Sequence, residues 1–307
     1  MDREILVFRS PTKSQKVIFR PIHSQRTWRN VTGFADEIAL DLDEQIALLT
    51  KLNIKHIEFR NAWGIKVLDL SAKQLETAKA KLDAAGIPLS TVGSELGKIM
   101  ITDPFEQHLQ RARHAIEVEQ FFGTPYIRMF SFFIPAGENP ADYREEVLAR
   151  TRAMVELAEA GGITLLYENE KDIYGDSPER VKDLITSINS PYYRGIYDAA
   201  NYVQTGFKPF DQAWPIVKDF TKYIHVKDVT VPTAEKPLGI IKPAGQGDGQ
   251  YPELLAALKD AGYEGFLSIE PHLGNFDEFG GLCGPEHWTS AYEALRGILD
   301  DLGAEYK

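Results

Sequence analysis

The sequence has one cysteine and no long apolar run, and both scarcities exclude classes of protein. Cys283 is the single cysteine among the 307 residues. No disulfide can therefore form within the chain, and one thiol is more typical of a reducing compartment than of a catalytic nucleophile. Residues 1–30 contain no apolar segment like that of a secretory signal, and no stretch approaches the roughly 18 apolar residues of a membrane span. We expect a cytoplasmic protein with no membrane partner.

Positive charge is scarce after the first 30 residues. The chain contains 34 Lys and Arg against 45 Asp and Glu, a formal charge of −11. Residues 1–30 hold seven of the basic residues and two of the acids, which leaves 27 basic and 43 acidic residues, a formal charge of −16, for the other 277. Because so acidic a body repels a phosphate backbone, we expect no nucleic-acid partner.

From residue 31 onwards, short β-branched or aromatic runs alternate with longer segments of helical period. This alternation predicts repeated βα units and a parallel sheet. The predicted strands are residues 31–35, 54–60, 88–93, 126–132, 163–168, 194–198, 223–227 and 266–270. Eight units in roughly 275 residues are more typical of a closed (β/α)8 TIM barrel than of a doubly wound sheet. We predict a single α/β TIM-barrel domain over residues 31–307, preceded by an N-terminal arm or tail of residues 1–30.

Local signals set several helix boundaries. Ser71 is a plausible N-cap for a helix that ends at Gly86, and a helix over residues 141–160 is expected to stop at Gly161-Gly162. Ser177 followed by proline and glutamate is typical of an N-cap and an acidic first turn.

Polar side chains end four consecutive predicted strands, and they suggest where the chemistry takes place. The residues are Glu168, Asp198, His225 and Glu270. Active sites of such barrels lie at the C-terminal ends of the strands, so these side chains are expected to converge. Three carboxylates brought together repel one another and raise their pKa values unless a cation lies among them. The four residues offer O,O,N,O ligation for one divalent metal ion, which favours Mn²⁺ and allows Mg²⁺, Co²⁺ or Zn²⁺.

Each of these residues alone has an ordinary structural explanation. A single acid at the end of a strand is more often a helix cap or a solvated loop group, and His225 alone is equally well explained as a core histidine. Four such residues at the same end of successive strands are much harder to explain as coincidence.

Six segments of the sequence resemble the sugar phosphate isomerase/epimerase superfamily, the xylose-isomerase-like TIM barrels. This superfamily includes ketose 3-epimerases, inosose and dehydroshikimate dehydratases, and endonuclease IV. Together the segments cover nearly all of the chain after residue 30. They are Gly33-Phe34-Ala35-Asp36-Glu37, Glu168-Asn169-Glu170 with Gly175-Asp176-Ser177-Pro178-Glu179, Asp198-Ala199-Ala200-Asn201, His225-Val226-Lys227-Asp228, Gly245-Gln246-Gly247-Asp248-Gly249 and Ser268-Ile269-Glu270-Pro271-His272.

The resemblance implies that Glu168, Asp198, His225 and Glu270 hold the metal, and that Glu168 and Glu270 are also the catalytic acid/base pair. A cation at this position stabilises the enediolate formed when a sugar loses a C–H proton beside its carbonyl. We therefore expect a metal-dependent isomerase or epimerase of a small-molecule sugar or polyol. Loss of a β-hydroxyl from the same intermediate is the alternative, a lyase or dehydratase of a keto-cyclitol or oxidised sugar. A non-catalytic ligand-binding barrel is a third hypothesis.

One departure from the family pattern bears on function. Asn201 stands where many epimerases and endonuclease IV have a histidine, and no other histidine-rich set suits a trinuclear zinc cluster. This disfavours DNA cleavage and any epimerase mechanism that depends on that histidine. Barrels of this kind commonly associate, so we also expect a homo-oligomer.

Further residues near the strand ends are candidates for substrate binding. Lys227 could instead form an ion pair with a nearby carboxylate, Arg128 could only balance a glutamate, and His272 could cap a loop. The run Gly245–Gly249 follows strand seven, where some barrels bind phosphate, but a turn that needs positive φ is the favoured interpretation. The substrate-binding candidates are Glu58, Arg60, Arg128, Asn201, Lys227 and His272.

Overall fold

A computed structural model of the chain describes residues 27–28, 30–277 and 280–306. The predicted arm or tail lies almost wholly outside these residues. Within its range, Thr27–Trp28 pairs in parallel with Glu305–Tyr306, and Asn30 begins the first barrel strand.

Eight parallel strands form the barrel in the described part of the chain, and all eight were predicted. The strands are β1 Asn30–Gly33, β2 Ile57–Phe59, β3 Leu89–Leu96, β4 Tyr126–Met129, β5 Thr164–Glu168, β6 Tyr193–Asp198, β7 Thr221–Val226 and β8 Phe266–Ile269. Their order around the barrel is β1-β8-β7-β6-β5-β4-β3-β2, and a parallel bridge between Phe34 and Glu58 brings β2 beside β1. Strand ends differ from the predicted ones by up to three residues, as is usual when pairing rather than propensity sets the boundary.

Helices follow the strands and cover the outside of the barrel. The helices are α1 Leu42–Lys51, α2 Ala72–Ala85, α3 Glu106–Phe122, α4 Arg144–Gly161, α5 Pro178–Ile188, α6 Ala199–Gln204, α7 Trp214–Val217, α8 Tyr251–Asp260 and α9 Gly284–Asp301. Ser71 and Gln74 form a capping box at the start of α2, and Gly86 ends this helix in the left-handed region at φ 67°. The Ser177 side chain accepts a hydrogen bond from the Arg180 N–H at the start of α5. A 3-10 turn at Pro140–Tyr143 precedes α4, so this helix begins later than predicted.

An apolar cluster precedes the polar ends of three neighbouring strands. Leu166, Ile196 and Tyr223 of β5, β6 and β7 pack together and are at most 2% exposed. Because side chains two residues apart in a strand point to the same side, the next residues on this side are Glu168, Asp198 and His225. The strand period therefore places three polar side chains beyond an apolar base. None of the described helices is long and apolar enough to cross a membrane.

The glycine run after β7 forms a tight loop around Asp228. The Asp228 carboxylate accepts hydrogen bonds from the N–H groups of Gly245, Gly247 and Gly249 at 2.8–3.0 Å. Gly245 has a φ of 79°, in agreement with the predicted turn. At Gly247 a Cβ atom would lie 2.4 Å from Asp228 Oδ1, so space rather than φ demands glycine there.

Candidate metal centre and active site

A cavity of about 630 Å³ opens at the C-terminal ends of the barrel strands. Most of its wall residues are charged or carry amides, and Phe130, Leu238 and Ile241 add apolar surface, so it suits a ligand that is mainly polar. Seven of the predicted site residues line it: Arg60, Arg128, Glu168, Asn201, Lys227, Glu270 and His272.

The structure brings the four predicted metal ligands together. Glu168 and Asp198 are the last residues of β5 and β6, His225 is the second-last of β7, and Glu270 follows β8 directly. One possible ligand atom from each residue lies within 4.8 Å of the others, and all four residues are buried. The His225 Nδ1 atom is 3.0 Å from Glu168 Oε1 and 3.7 Å from Glu270 Oε2. Four strands therefore deliver one nitrogen and three carboxylates to one point.

Cationic side chains surround this cluster. Arg128 from β4 donates a hydrogen bond to Glu168 Oε2 at 3.1 Å. The Lys227 Nζ atom lies 2.9 Å from Asp198 Oδ2 and 3.1 Å from Glu270 Oε2, and thus between two carboxylates. Arg60, which follows β2, reaches the other oxygen of Glu270 at 3.3 Å. Lys227 and Arg128 form the ion pairs foreseen as one alternative, and both also line the cavity.

The expectation was that crowding raises the pKa of the three carboxylates unless a cation lies among them, and the cations around the cluster supply that exception for two of the three. Burial works towards a higher pKa at Glu168, but His225 and Arg128 outweigh it and lower that pKa to about 2. Lys227 likewise leads the cations that overcome burial and hold the pKa of Glu270 well below its usual value. Of the three carboxylates only Asp198 has a raised pKa, about 6, because the effect of burial outweighs that of Lys227. Charge balance alone therefore does not require a metal ion.

The donor set nevertheless fits a divalent cation. The carboxylates of Asp198 and Glu270 already hold a positive group between them, the ammonium of Lys227. Burial works against protonation of His225, but Glu168 and Glu58 raise its pKa to about 10. A positive charge is therefore favoured at the imidazole as well. Three oxygens and one imidazole nitrogen at this spacing suit Mn²⁺, Mg²⁺, Co²⁺ or Zn²⁺.

Asp36 and Glu37, just after β1, lie beside the cluster and bind side chains of the cavity wall. The sequence analysis did not identify them as site residues. Arg60 donates to Asp36 Oδ2 at 2.8 Å and to Glu37 Oε1 at 3.2 Å. Glu37 also accepts the backbone N–H of His272 at 2.9 Å, and its Oε1 is 3.1 Å from the His272 Nδ1 atom. Their position in the Gly33–Glu37 motif, directly after a strand, was the signal that could have identified them.

The position of Glu58 differs from the one expected of a substrate-binding residue. Its side chain has no solvent exposure and is not part of the cavity wall. Glu58 Oε2 instead accepts hydrogen bonds from the hydroxyls of Ser268 and Tyr223, and it lies 3.2 Å from the His225 Nε2 atom. The contacts of Glu58 therefore favour a role behind His225.

Asn201 and the unpredicted Asn169 connect the ends of β5 and β6. The Asn201 side chain donates to the Asn169 carbonyl at 2.7 Å, and its backbone N–H donates to Asp198 Oδ1 at 2.9 Å. Asn169 exchanges two further hydrogen bonds with the Asp198 backbone. This amide pair fixes the position of Asp198 and leaves Asn201 on the cavity wall.

Comparison with known proteins gives a match over most of the chain. A family model described as xylose isomerase-like TIM barrel matches residues 46–299. A 2-epi-5-epi-valiolone 7-phosphate 2-epimerase from an Actinoplanes species is 30% identical over 183 residues, which is 59% of this chain. The matched region spans 63% of the length of that relative.

Solved structures share the fold at low identity. A xylose isomerase-like TIM barrel protein from Mycobacterium smegmatis, in complex with magnesium, superposes with a TM-score of 0.67 at 18% identity, over 91% of this chain and 100% of the other. A D-tagatose 3-epimerase-like protein gives a TM-score of 0.69 at 18% identity, over 89% of this chain and 98% of the other.

Proposed function

Because this chain belongs to the xylose isomerase-like TIM barrel family, we propose that it is a divalent-metal-dependent isomerase or epimerase of a sugar or polyol. The observation that carries this proposal is the convergence of Glu168, Asp198, His225 and Glu270 at the base of a polar cavity. The epimerase name of the Actinoplanes relative and that of the tagatose-epimerase-like structure support it.

The metal would be held by those same four residues, with Mn²⁺ favoured by the oxygen-rich set. A bound divalent cation supplies a Lewis acid that stabilises negative charge on an oxygen beside the reacting carbon. The magnesium in the related M. smegmatis protein supports a divalent ion at such a site.

Proton transfer is assigned to Glu168 and Glu270. Both line the cavity, and in the metal-free protein the lowered pKa of each leaves it deprotonated at neutral pH, the state that the glutamate acting as base needs to remove a C–H proton. They come from β5 and β8, so two strands separate them and they approach a bound sugar from different sides. One glutamate, as carboxylate, takes the C–H proton. The other, protonated from solvent before it acts, delivers its own proton to the opposite face, which inverts the carbon, and the first then releases its proton to solvent.

Other side chains position the substrate and the two glutamates. Arg128 holds Oε2 of Glu168 and Arg60 holds Oε1 of Glu270, whereas the other oxygen of each carboxylate faces the His225 ring. The Lys227 ammonium is available to a developing anionic oxygen, and Asn201 and His272 offer polar contacts to sugar hydroxyls on the cavity wall.

The test is solvent-isotope exchange with a panel of ketoses, inososes and phosphorylated cyclitols in D₂O. The Mn²⁺-loaded protein is expected to incorporate one deuterium and to retain the atoms of its substrate, as NMR and mass spectrometry would show. Glu168→Gln and Glu270→Gln should each reduce exchange at least about 100-fold, the usual contribution of a positioned acid or base. Glu119→Gln is the matched control, because Glu119 is a buried acid of α3 that does not line the cavity. Exchange that survives in both glutamine variants would contradict the proposal.

Dehydration is the second candidate, and one contact favours it. The His272 Nε2 atom lies 3.9 Å from Glu270 Oε1, so the ring is close enough to the catalytic carboxylate to contact a departing hydroxyl. Loss of 18 mass units (one water) from the substrate in the same experiment would identify a lyase.

A further inference from the structure

The two ring nitrogens of His225 contact carboxylates on opposite sides. Nδ1 is 3.0 Å from Glu168 Oε1, within the candidate metal cluster, whereas Nε2 is 3.2 Å from Glu58 Oε2. Glu58 and His225 have no solvent exposure. The imidazole is therefore held between the cluster and a carboxylate that does not belong to it.

Glu58 is itself fixed by a buried network of hydroxyls inside the barrel. Ser268 donates to Glu58 Oε2 at 2.6 Å and Tyr223 donates to the same oxygen at 3.0 Å. The Tyr223 hydroxyl also lies 2.9 Å from Ser90 Oγ, which is 3.0 Å from Thr32 Oγ1. Residues of β1, β2, β3, β7 and β8 thus form one polar layer, where such barrels more often pack branched apolar side chains.

A carboxylate in this layer is costly unless it compensates another charge. An unpaired buried carboxylate is strongly destabilising, because burial removes the water that solvates its charge. Two hydroxyls donate hydrogen bonds to Oε2, and the His225 Nε2 atom lies 3.2 Å from it as an ion-pair contact. Neither Glu58 Oε1 nor His225 Nε2 has a hydrogen-bond partner among the described residues. Hydroxyl donors alone would be satisfied by a neutral amide oxygen, so the contact that makes use of the negative charge is the one with His225.

We propose that Glu58 is a positioning residue for His225. It keeps a proton on Nε2, so that the Nδ1 lone pair points into the space between the other candidate ligands, and in this way it strengthens binding of a divalent cation. This inference rests on the proposed function, since it takes His225 to be a ligand. A carboxylate on the far nitrogen of a metal-bound imidazole fixes its tautomer and orientation and increases its basicity. Removal of such a partner typically weakens metal binding about 10–100-fold.

Calorimetric titration of metal-free protein with Mn²⁺ tests the proposal without any substrate. Glu58→Gln is expected to weaken Mn²⁺ binding about 10–100-fold. Ser268→Ala is the matched control: it removes a hydrogen bond to the same Glu58 oxygen, and Ser268, although it is the register partner of His225 in β8, makes no side-chain hydrogen bond to that ring. Its Mn²⁺ affinity should stay within about threefold of the parent. Circular dichroism and denaturant unfolding would establish that both variants are folded.

Glu58→Gln with the parent affinity, beside a parent protein that binds Mn²⁺, overturns this inference and leaves the proposed function standing. Equal weakening in Ser268→Ala and Glu58→Gln also overturns it, because the layer would then act only through packing. A parent protein that binds no Mn²⁺ overturns the proposed function, and this inference with it.

A spectroscopic measurement on the unsubstituted protein is independent of how the variants fold. In Zn²⁺-loaded protein with ¹⁵N-labelled histidine, His225 should show a proton bonded to Nε2 and a metal-bound Nδ1. A proton on Nδ1 with Nε2 bound to Zn²⁺ would overturn the proposal.

Discussion

Two buried histidines of this protein have opposite protonation behaviour. His108 in α3 is 7% exposed, and its Nε2 accepts the backbone N–H of Gly97 at 2.7 Å. Burial lowers the pKa of His108 to about 4. His225 is at least as buried, yet the carboxylates of Glu168 and Glu58 overcome burial and raise its pKa to about 10.

The partner of each ring therefore decides its charge more than its burial does. A backbone N–H needs a lone pair on the imidazole and so favours the neutral ring, whereas two carboxylates favour a proton or a metal ion on each nitrogen. The first arrangement is typical of a structural histidine and the second of a functional one. Three experiments would break or sharpen this comparison.

Removal of the His225 ring is expected to have the largest effect. His225→Asn leaves Glu58 and Glu168 buried without their shared partner, which should lower the free energy of unfolding of the metal-free protein by about 3–5 kcal/mol. Loss of the imidazole ligand should also weaken Mn²⁺ binding by more than about 100-fold, a larger effect than the one expected for loss of the Glu58 carboxylate. Denaturant unfolding and calorimetry would measure the two changes. An affinity within about fivefold of the parent would show that His225 is not a ligand.

In metal-free protein, the free energy of unfolding should depend on pH in opposite directions through His108 and through His225. The folded-state pKa of His108 is below the ordinary value, so its contribution is present above pH 6.5 and is lost as the pH falls through about 4. The loss is at most about 3 kcal/mol. The pKa of His225 is raised, so its contribution is present below pH 6.5 and is lost as the pH rises through about 10.

His108→Gln keeps an acceptor for the Gly97 N–H and removes the titration, so urea unfolding between pH 4 and 6.5 should become less dependent on pH. His114→Gln is the control, since His114 lies on the same helix with an exposed side chain. A slope that His108→Gln leaves unchanged would refute the structural explanation.

Neutralisation of Lys227 should have the smallest effect. Its ammonium lies between Asp198 and Glu270, where it competes with a metal ion for the same oxygens. Lys227→Gln is expected to tighten Mn²⁺ binding by on the order of tenfold, or about 1.4 kcal/mol, even though turnover falls. Lys171→Gln, farther out on the cavity wall, should change Mn²⁺ affinity less than about twofold. Weaker binding by Lys227→Gln would mean that the ammonium supports the site instead of competing for it.

Much of this arrangement follows from local sequence patterns. Alternation of apolar runs predicted all eight barrel strands, and the ends of four of them identified the residues that converge. The depth of a side chain inside the barrel does not follow from local patterns, because it depends on the register between strands. Glu58 and Arg60 are two residues apart, yet only Arg60 reaches the cavity, since pairing with Thr91 holds Glu58 within the barrel.

The electrostatics of the site also depended on partners distant in sequence. Arg128 reaches Glu168 from a neighbouring strand, and Arg60 reaches Glu270 across 210 positions, so the sequence could not show which cations lower the pKa values of Glu168 and Glu270. The identity of the metal, the homo-oligomer and the cellular location stay predictions.

The loop around Asp228 limits how a charged substrate can be held. In many barrels the corner after strand seven offers free backbone N–H groups to a phosphate. Here the chain fills that corner with a carboxylate of its own, and three glycine N–H groups are already engaged. A phosphorylated sugar would therefore need a cationic side chain of the cavity wall, such as Lys98, in place of these backbone N–H groups.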